Sequence, residues 1–166
     1  MKRALTKAVA ILAMAMPSAA HAQQYLIAGE GEVATGVEGG GHGARRARTR
    51  IRVGLELRID ESPDDGLSVA GLVDLEPHAS VGGELRYLHF VSETFSLHAG
   101  GIAYLAPGTL FGGTAGFDAH VPFGARAKKL SFIGGPEVTV FPAGSDLPGN
   151  SILWQALLQV GIRAAF

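Results

Sequence analysis

The sequence predicts an all-β fold, an eight-stranded antiparallel up-and-down transmembrane β-barrel, and three observations support this prediction. Apolar and polar residues alternate with a period of two in eight successive segments, which Pro, Gly, Asp and Ser separate. The number of segments is even, as a bacterial single-chain barrel requires, and most reach the roughly 9–11 residues that a tilted strand needs to cross a bilayer. The chain has no cysteine, so hydrogen bonding and packing must hold it together.

The eight predicted strands share one pattern, with apolar side chains on one face and polar or charged side chains on the other. The segment 48–60 shows the pattern most clearly, because Ile51 and Val53 alternate with Arg50 and Arg52. The predicted strands are 25–38, 48–60, 67–76, 81–91, 95–105, 110–121, 130–141 and 151–166.

The N-terminus predicts export. Lys2 and Arg3 form the positively charged first region of a signal peptide. The apolar run 8–16 that follows is too short for a membrane-spanning helix, which needs about 20 residues. The sequence Ala20-His21-Ala22 then has the small-x-small pattern of a cleavage site, so we expect cleavage after Ala22. The predicted organisation is a signal peptide, 1–22, and one barrel domain, 23–166.

The charge balance argues against a nucleic-acid partner. The predicted signal peptide holds three of the 14 Lys and Arg residues and none of the 15 Asp and Glu residues, so the rest of the chain is acidic. Nucleic acids require clustered cations, and the one basic cluster is the arginine run 45–52, whose inner half falls on the interior face of a strand. The glycine-rich stretch 39–43 lacks the Lys-Ser/Thr pair of a phosphate-binding loop, so we predict an ordinary connection there.

The aromatic residues favour a membrane barrel with both termini on the periplasmic side. In that topology all connections are short, and most aromatic side chains fall near one rim or the other, as interfacial girdles do. The outward connections would be 39–44, 77–79, 106–109 and 142–150, and the periplasmic turns 61–66, 92–94 and 122–128. The periplasmic girdle would hold Tyr25, Tyr87, Phe95, Phe117, Phe132 and Phe166, and the outer girdle Phe111 and Trp154.

The last predicted strand carries a recognisable pattern. The residues of one face end in a terminal aromatic, and this resembles the C-terminal signal that the barrel-assembly machinery reads in outer-membrane proteins. The residues of the membrane-assembly signal are Trp154, Leu158, Val160, Ile162 and Phe166. In architecture the whole mature chain is similar to the small eight-stranded barrels of the OmpA and OmpX type. That resemblance implies integration into the bacterial outer membrane, with outer-membrane lipids and lipopolysaccharide as partners. Arg45 and Arg46 would then be candidates for contacts with lipopolysaccharide phosphates.

One departure from that class is informative. OmpX-like adhesins carry long extracellular hairpins, whereas the outward connections predicted here are short. An adhesion or receptor function is therefore a weaker implication of the resemblance.

The interior face of the predicted barrel carries many charges. A barrel of eight strands is just wide enough for side chains to fill its interior, and buried charges must pair there. The sequence therefore predicts a lumen plugged by salt bridges, and the alternative is a narrow pore for small solutes or ions. The predicted charge network consists of Arg50, Arg52, Glu56, Arg58, Asp74, Glu76, Glu84, Arg86, Asp118, Glu137 and Arg163.

Neither a metal site nor an enzyme is predicted. His98 and His120 point inward from adjacent strands, but the sequence shows no third and fourth ligand at matched depth. Some outer-membrane lipid A deacylases use a His-x-Ser element on the lipid-facing wall, and His78-Ala79-Ser80 is the one such element here. However, Ser80 lies on the lumenal face and Val81 stands where that family has Asn, so we expect no catalytic residues and no cofactor.

The predicted function is that of an integral outer-membrane protein, a monomer with a structural or surface-interaction role. A narrow pore and a lipid A-modifying enzyme are the two functional alternatives. A soluble periplasmic barrel of lipocalin type is the alternative at the level of the fold, because alternation alone does not distinguish inside from outside. Phe166 and the aromatic girdles favour the membrane barrel.

Overall fold

The computed structural model describes residues 25–40, 45–59, 62–76, 78–123, 129–147 and 151–166, with the side chains of Tyr25, Arg45 and Ile59 left out. The predicted signal peptide, 1–22, lies outside the described residues and stays a prediction. The same holds for Pro77 and for parts of the predicted connections 39–44, 61–66, 122–128 and 142–150.

Eight strands close into one antiparallel barrel, as the sequence predicts. Each strand pairs with its neighbours in chain order, and the first strand pairs with the last. Among the described residues, no helix is long and apolar enough to span a membrane. The strands are β1 (Tyr25–Gly40), β2 (Arg45–Ile59), β3 (Ser62–Asp74), β4 (Ser80–Ser92), β5 (Phe95–Ala106), β6 (Leu110–Pro122), β7 (Leu130–Ala143) and β8 (Leu153–Ala165).

The largest difference from the predicted bounds concerns β3. The sequence predicts a strand over 67–76 after a turn over 61–66, but β3 begins at Ser62 and ends at Asp74. The register between β2 and β3 shifts at this end, so that Ile59 pairs with Ser62 whereas Arg58 pairs with Gly66. The extra residues continue β3 instead of forming a turn, and two of them, Asp65 and Gly66, pair with β4.

The two faces of the barrel wall differ in polarity in the way the alternation predicts. Large apolar side chains cover the outside and are exposed, for example Val53 at 65% and Val69 at 62%. Charged and polar side chains point inward and are buried, for example Arg50 at 2% and Glu56 at 1%. A lipocalin-type barrel would have the reverse arrangement, so the structure contradicts that alternative.

The two ends of the barrel carry different connections. The end that holds both termini, here called the termini end, also carries the β2–β3, β4–β5 and β6–β7 connections, and the four other connections lie at the distal end. Phe95 and Phe132 face outward near the termini end, and Phe111 and Trp154 face outward near the distal end. These four outward aromatic side chains therefore mark both rims.

A close approach between β6 and β7 requires glycine at position 135. A Cβ atom built on Gly135 would lie 1.8 Å from the carbonyl oxygen of Phe117, well inside van der Waals contact. Gly101 is the opposite case, because a Cβ atom there would meet no heavy atom within 4 Å. The two glycines therefore form a matched pair for substitution.

We predict that Gly135→Ala destabilises the barrel by about 1–3 kcal/mol, because the two strands must move apart to admit the methyl group. Gly101→Ala should leave stability unchanged within error. Urea unfolding of the barrel in lipid vesicles measures both free energies. Equal effects of the two substitutions would contradict the close approach.

Candidate functional site

The lumen is the part of the molecule where polar chemistry concentrates. Because side chains alternate along each strand, every second residue points inward, and all eight strands contribute polar groups. The charged residues buried there are Glu30, Glu32, Glu38, Arg48, Arg50, Arg52, Glu56, Asp74, Glu84, Arg86, Asp118, Glu137 and Arg163, and Arg58 is half-buried.

Arg50 joins four strands at the centre of the network. Its Nε atom lies 3.1 Å from Asp74 Oδ1, its Nη1 atom lies 2.6 Å from Glu137 Oε1, and its Nη2 atom donates to Gln155 Oε1. The second carboxylate oxygen of Glu137 accepts from Arg86 Nη2. Glu137 therefore links two guanidinium groups across the lumen, which is a charge-assisted arrangement that fixes both side chains.

A second cluster surrounds Arg52. The Nη1 atom of Arg52 lies 2.7 Å from Glu30 Oε2 and 2.5 Å from Glu32 Oε1. Its Nε atom lies 3.1 Å from Glu84 Oε2, and its Nη2 atom donates to the Ser68 hydroxyl. One guanidinium group thus contacts three carboxylates, two on β1 and one on β4, and it links these two strands, which are not adjacent in the sheet.

A third cluster lies toward the termini end. Arg163 holds Glu56 in a bidentate pair, with distances of 2.7 Å from Nε to Oε2 and 2.8 Å from Nη2 to Oε1. Arg58 Nε lies 2.5 Å from the same Glu56 Oε1. The guanidinium carbon of Arg58 lies 3.1 Å from the centroid of the Phe90 ring, so a cation–π contact covers one face of the group.

The distal end of the lumen is closed differently. Arg48 Nε lies 2.5 Å from Glu38 Oε2, and the Tyr104 hydroxyl donates to Asp74 Oδ1 over 2.6 Å. The same half of the lumen also contains an apolar cluster that the sequence pattern did not predict. Its buried members are Leu72, Ile102, Tyr104, Leu110, Phe141 and Leu153.

The two inward histidines belong to the same polar interior. His98 Nδ1 lies 3.0 Å from Asp118 Oδ2, and its Nε2 lies 3.7 Å from Glu137 Oε2. His120 Nε2 shares a hydrogen bond of 2.8 Å with the Ser96 hydroxyl. Within the described ranges, no group of three or more His, Cys, Asp or Glu side chains is arranged to hold a metal ion.

The network leaves little free space. The enclosed cavity that Glu32, Arg52, Glu56, Arg86 and Asp118 line together with neighbouring residues has a volume of about 10 Å³. One water molecule needs about that much space. Side chains therefore fill this part of the lumen almost completely.

One predicted member of the charge network is misplaced. Glu76 lies beyond the end of β3 and is exposed, and its Oε2 atom accepts a hydrogen bond of 3.2 Å from Thr49 Oγ1. The prediction for Glu76 is therefore wrong, because the alternation of the sequence continues past the last residue of the strand. The other ten predicted residues all project from strands into the lumen.

Several network residues were not predicted as members although their positions have the correct parity. Glu30, Glu32 and Glu38 alternate along β1, and Arg48 precedes Arg50 by two residues. Their position on the inward face of the strand could have identified them as members of the network. The neutral partners Gln155, Gln159, Ser68 and Tyr104 carry no charge, so the pattern of charges could not reveal them.

The residues of the predicted membrane-assembly signal share the outer face of β8 and the residue that follows it. The exposed fractions of Leu158 and Val160 are 57% and 61%. Trp154, Ile162 and Phe166 are also exposed. All five therefore belong to the outer apolar surface of the wall.

The His78-Ala79-Ser80 element does not form a nucleophile–base pair. The Ser80 hydroxyl lies 3.5 Å from the backbone carbonyl oxygen of His78, and the His78 imidazole instead faces Asp146 at 3.4 Å. Ser80 is buried on the lumenal side, whereas His78 is exposed. The imidazole is thus directed away from the hydroxyl that it would have to activate.

These features define the class of the fold. A closed antiparallel barrel of eight strands with an apolar exterior and a polar interior is the architecture of the small OmpA/OmpX-like barrels.

Comparison with known proteins agrees with that class. The chain is similar to the crystal structure of Neisserial surface protein A, with a TM-score of 0.54 and 12% sequence identity over 84% of this chain and 97% of that chain. At this identity the similarity concerns the fold alone. No protein-family model and no curated protein sequence matches the chain.

We predict that Arg50→Met destabilises the barrel by about 3–5 kcal/mol, because Asp74 and Glu137 each lose a partner while they stay buried. Arg46→Gln is the matched control, since Arg46 lies on the same strand but is exposed. We expect its urea midpoint in lipid vesicles to equal that of the wild type. A loss below about 1 kcal/mol for Arg50→Met would argue that water solvates the lumen.

Proposed function

We propose that this chain is an integral outer-membrane β-barrel protein with a structural or surface-interaction role and with a lumen closed by ion pairs. The single observation that carries the proposal is the polarity of the wall, apolar and exposed outside but charged and buried inside.

The exterior is suited to hydrocarbon and poorly suited to water. Exposed apolar side chains occur on all eight strands, whereas the surface of a soluble monomer rarely has an apolar patch larger than a few hundred Å². The closed sheet leaves no unpaired strand edge, which is the requirement for a β-structure inside a bilayer. A membrane explains both properties together.

Several features support the outer membrane as the location. The predicted signal peptide, 1–22, would direct export, and the residues from Trp154 to Phe166 resemble an assembly signal for the barrel-assembly machinery. The fold similarity to a protein described as a surface protein agrees with this location. Arg46 is exposed at the distal end, where it would contact lipopolysaccharide phosphates. One chain closes the barrel, which supports a monomer.

The closed lumen argues against the pore alternative. Interlocking arginine and carboxylate side chains lie at the centre, and the apolar cluster occupies part of the distal half of the lumen. A narrow selective pore would require a continuous path for water past Arg50 and Arg52. We therefore do not propose transport.

The proposal predicts that the protein fractionates with the outer membrane and that its mobility on SDS gels differs between unboiled and boiled samples, because the closed sheet resists SDS until it is heated. Recovery from the soluble periplasmic fraction without a mobility shift would contradict it. Conductance across planar bilayers then tests the closed lumen, and we expect no discrete channel openings.

A further inference from the structure

A cavity of about 230 Å³ lies at the termini end of the barrel, outside the enclosed part of the lumen. Its wall contains polar groups from four residues, Arg58, Arg163, His120 and Ser131. Leu130, whose side chain faces outward on β7, also lines the cavity. The cavity therefore reaches from the mouth of the lumen to the rim of the barrel.

The two arginines of this wall share one buried carboxylate. Arg58 and Arg163 both pair with Glu56, whose single negative charge neutralises one of the two guanidinium groups. The next carboxylate inward, Glu30, forms its ion pair with Arg52, over 2.7 Å, and among the described residues it forms none with Arg58 or Arg163. Glu93 also lines the cavity, but it lies in the exposed β4–β5 turn, where water solvates its charge.

The same wall presents hydrogen-bond donors that the described part of the chain does not use. Arg58 engages Glu56 through Nε, which leaves its two terminal nitrogens without a protein partner among the described residues. Arg163 engages Glu56 through Nε and Nη2, so its Nη1 is available. The Ser131 hydroxyl is the third group in the described wall without a partner there.

We propose that this cavity is a binding site for a phosphate group, held by the free guanidinium nitrogens of Arg58 and Arg163 and by the Ser131 hydroxyl. Planar guanidinium donors match the oxygens of a phosphate, and such charge-assisted hydrogen bonds are the strong ones. The Phe90 ring and the pair with Glu56 hold the Arg58 guanidinium in place before the anion arrives. The phosphate would come from a free anion or from a lipid headgroup that reaches the cavity over the Leu130 side of the rim.

The test is a titration of the folded barrel with inorganic phosphate in a nonionic maltoside detergent, at constant ionic strength. The detergent must carry no phosphate group of its own. Backbone amide resonances of Ser131 and Arg163, which pair across β7 and β8, report binding. We expect saturable shifts in the wild type and about tenfold weaker binding in Arg58→Gln, the loss of roughly one charge-assisted hydrogen bond.

Two further variants make the result specific. Arg46→Gln removes the same charge from the same strand at the distal end, away from this cavity, and should leave the phosphate-dependent shifts of Ser131 and Arg163 as in the wild type. Ser131→Ala removes one donor without changing the charge, and we expect about threefold weaker binding. The mobility of Arg58→Gln on unboiled gels shows whether this variant folds. If it does not fold, the affinity of Ser131→Ala for phosphate tests the site instead. Unchanged binding in Ser131→Ala would then overturn the proposal.

A parallel titration with a short-chain phosphatidic acid distinguishes the two sources. Binding that is at least tenfold tighter than that of inorganic phosphate, and equally sensitive to Arg58→Gln, assigns the site to a lipid headgroup. Equal affinities assign it to the free anion. The absence of saturable shifts with both probes, or an equal loss in Arg46→Gln and Arg58→Gln, would overturn the proposal.

Discussion

The pairing of buried guanidinium groups is the constraint on which the rest of this structure depends. Within the described residues, six arginines project into a lumen that is just wide enough for side chains to fill, and an unpaired charge there costs several kcal/mol. Several of the pairs join strands that are distant in sequence, such as Arg50 on β2 with Glu137 on β7 and Arg163 on β8 with Glu56 on β2. The network thereby connects opposite sides of the wall that backbone hydrogen bonds alone do not join.

That constraint also fixes the register of the sheet. A shift of one residue between two strands would turn a whole set of side chains to the other face. In β2 such a shift would place Arg50 and Arg52 on the outer face and Ile51 and Val53 in the lumen. The large energetic difference between these arrangements makes the observed pairing specific.

The sequence predicts much of this architecture because alternation is a local property. The parity of Val53 or Arg52 can be determined from its immediate neighbours, so the number of strands and the two faces of the wall follow without a structure. Parity does not give the point where a strand ends, which is why the prediction for Glu76 was wrong. The register shift beside Arg58 likewise depends on how β2 and β3 meet.

The contacts across the lumen could not be predicted in this way. Arg50 and Gln155 are 105 residues apart, and the parity of each gives no distance between them. The same limit applies to the cluster that Phe141 and Leu153 form at the distal end, since inward apolar residues do not follow the rule of a polar interior. The sequence predicts which side chains enter the lumen, and the closed geometry determines which of them meet.

The account depends most directly on the claim that the outer face contacts hydrocarbon. The chain contains one tryptophan, Trp154, which faces outward near the distal rim, so its fluorescence reports on that surface without any substitution. In vesicles that contain brominated phospholipids, we expect strong quenching, greatest when the bromine atoms lie near the headgroups. Efficient quenching by aqueous iodide, with no effect of brominated lipids, would show that this face is solvated by water and would contradict the account.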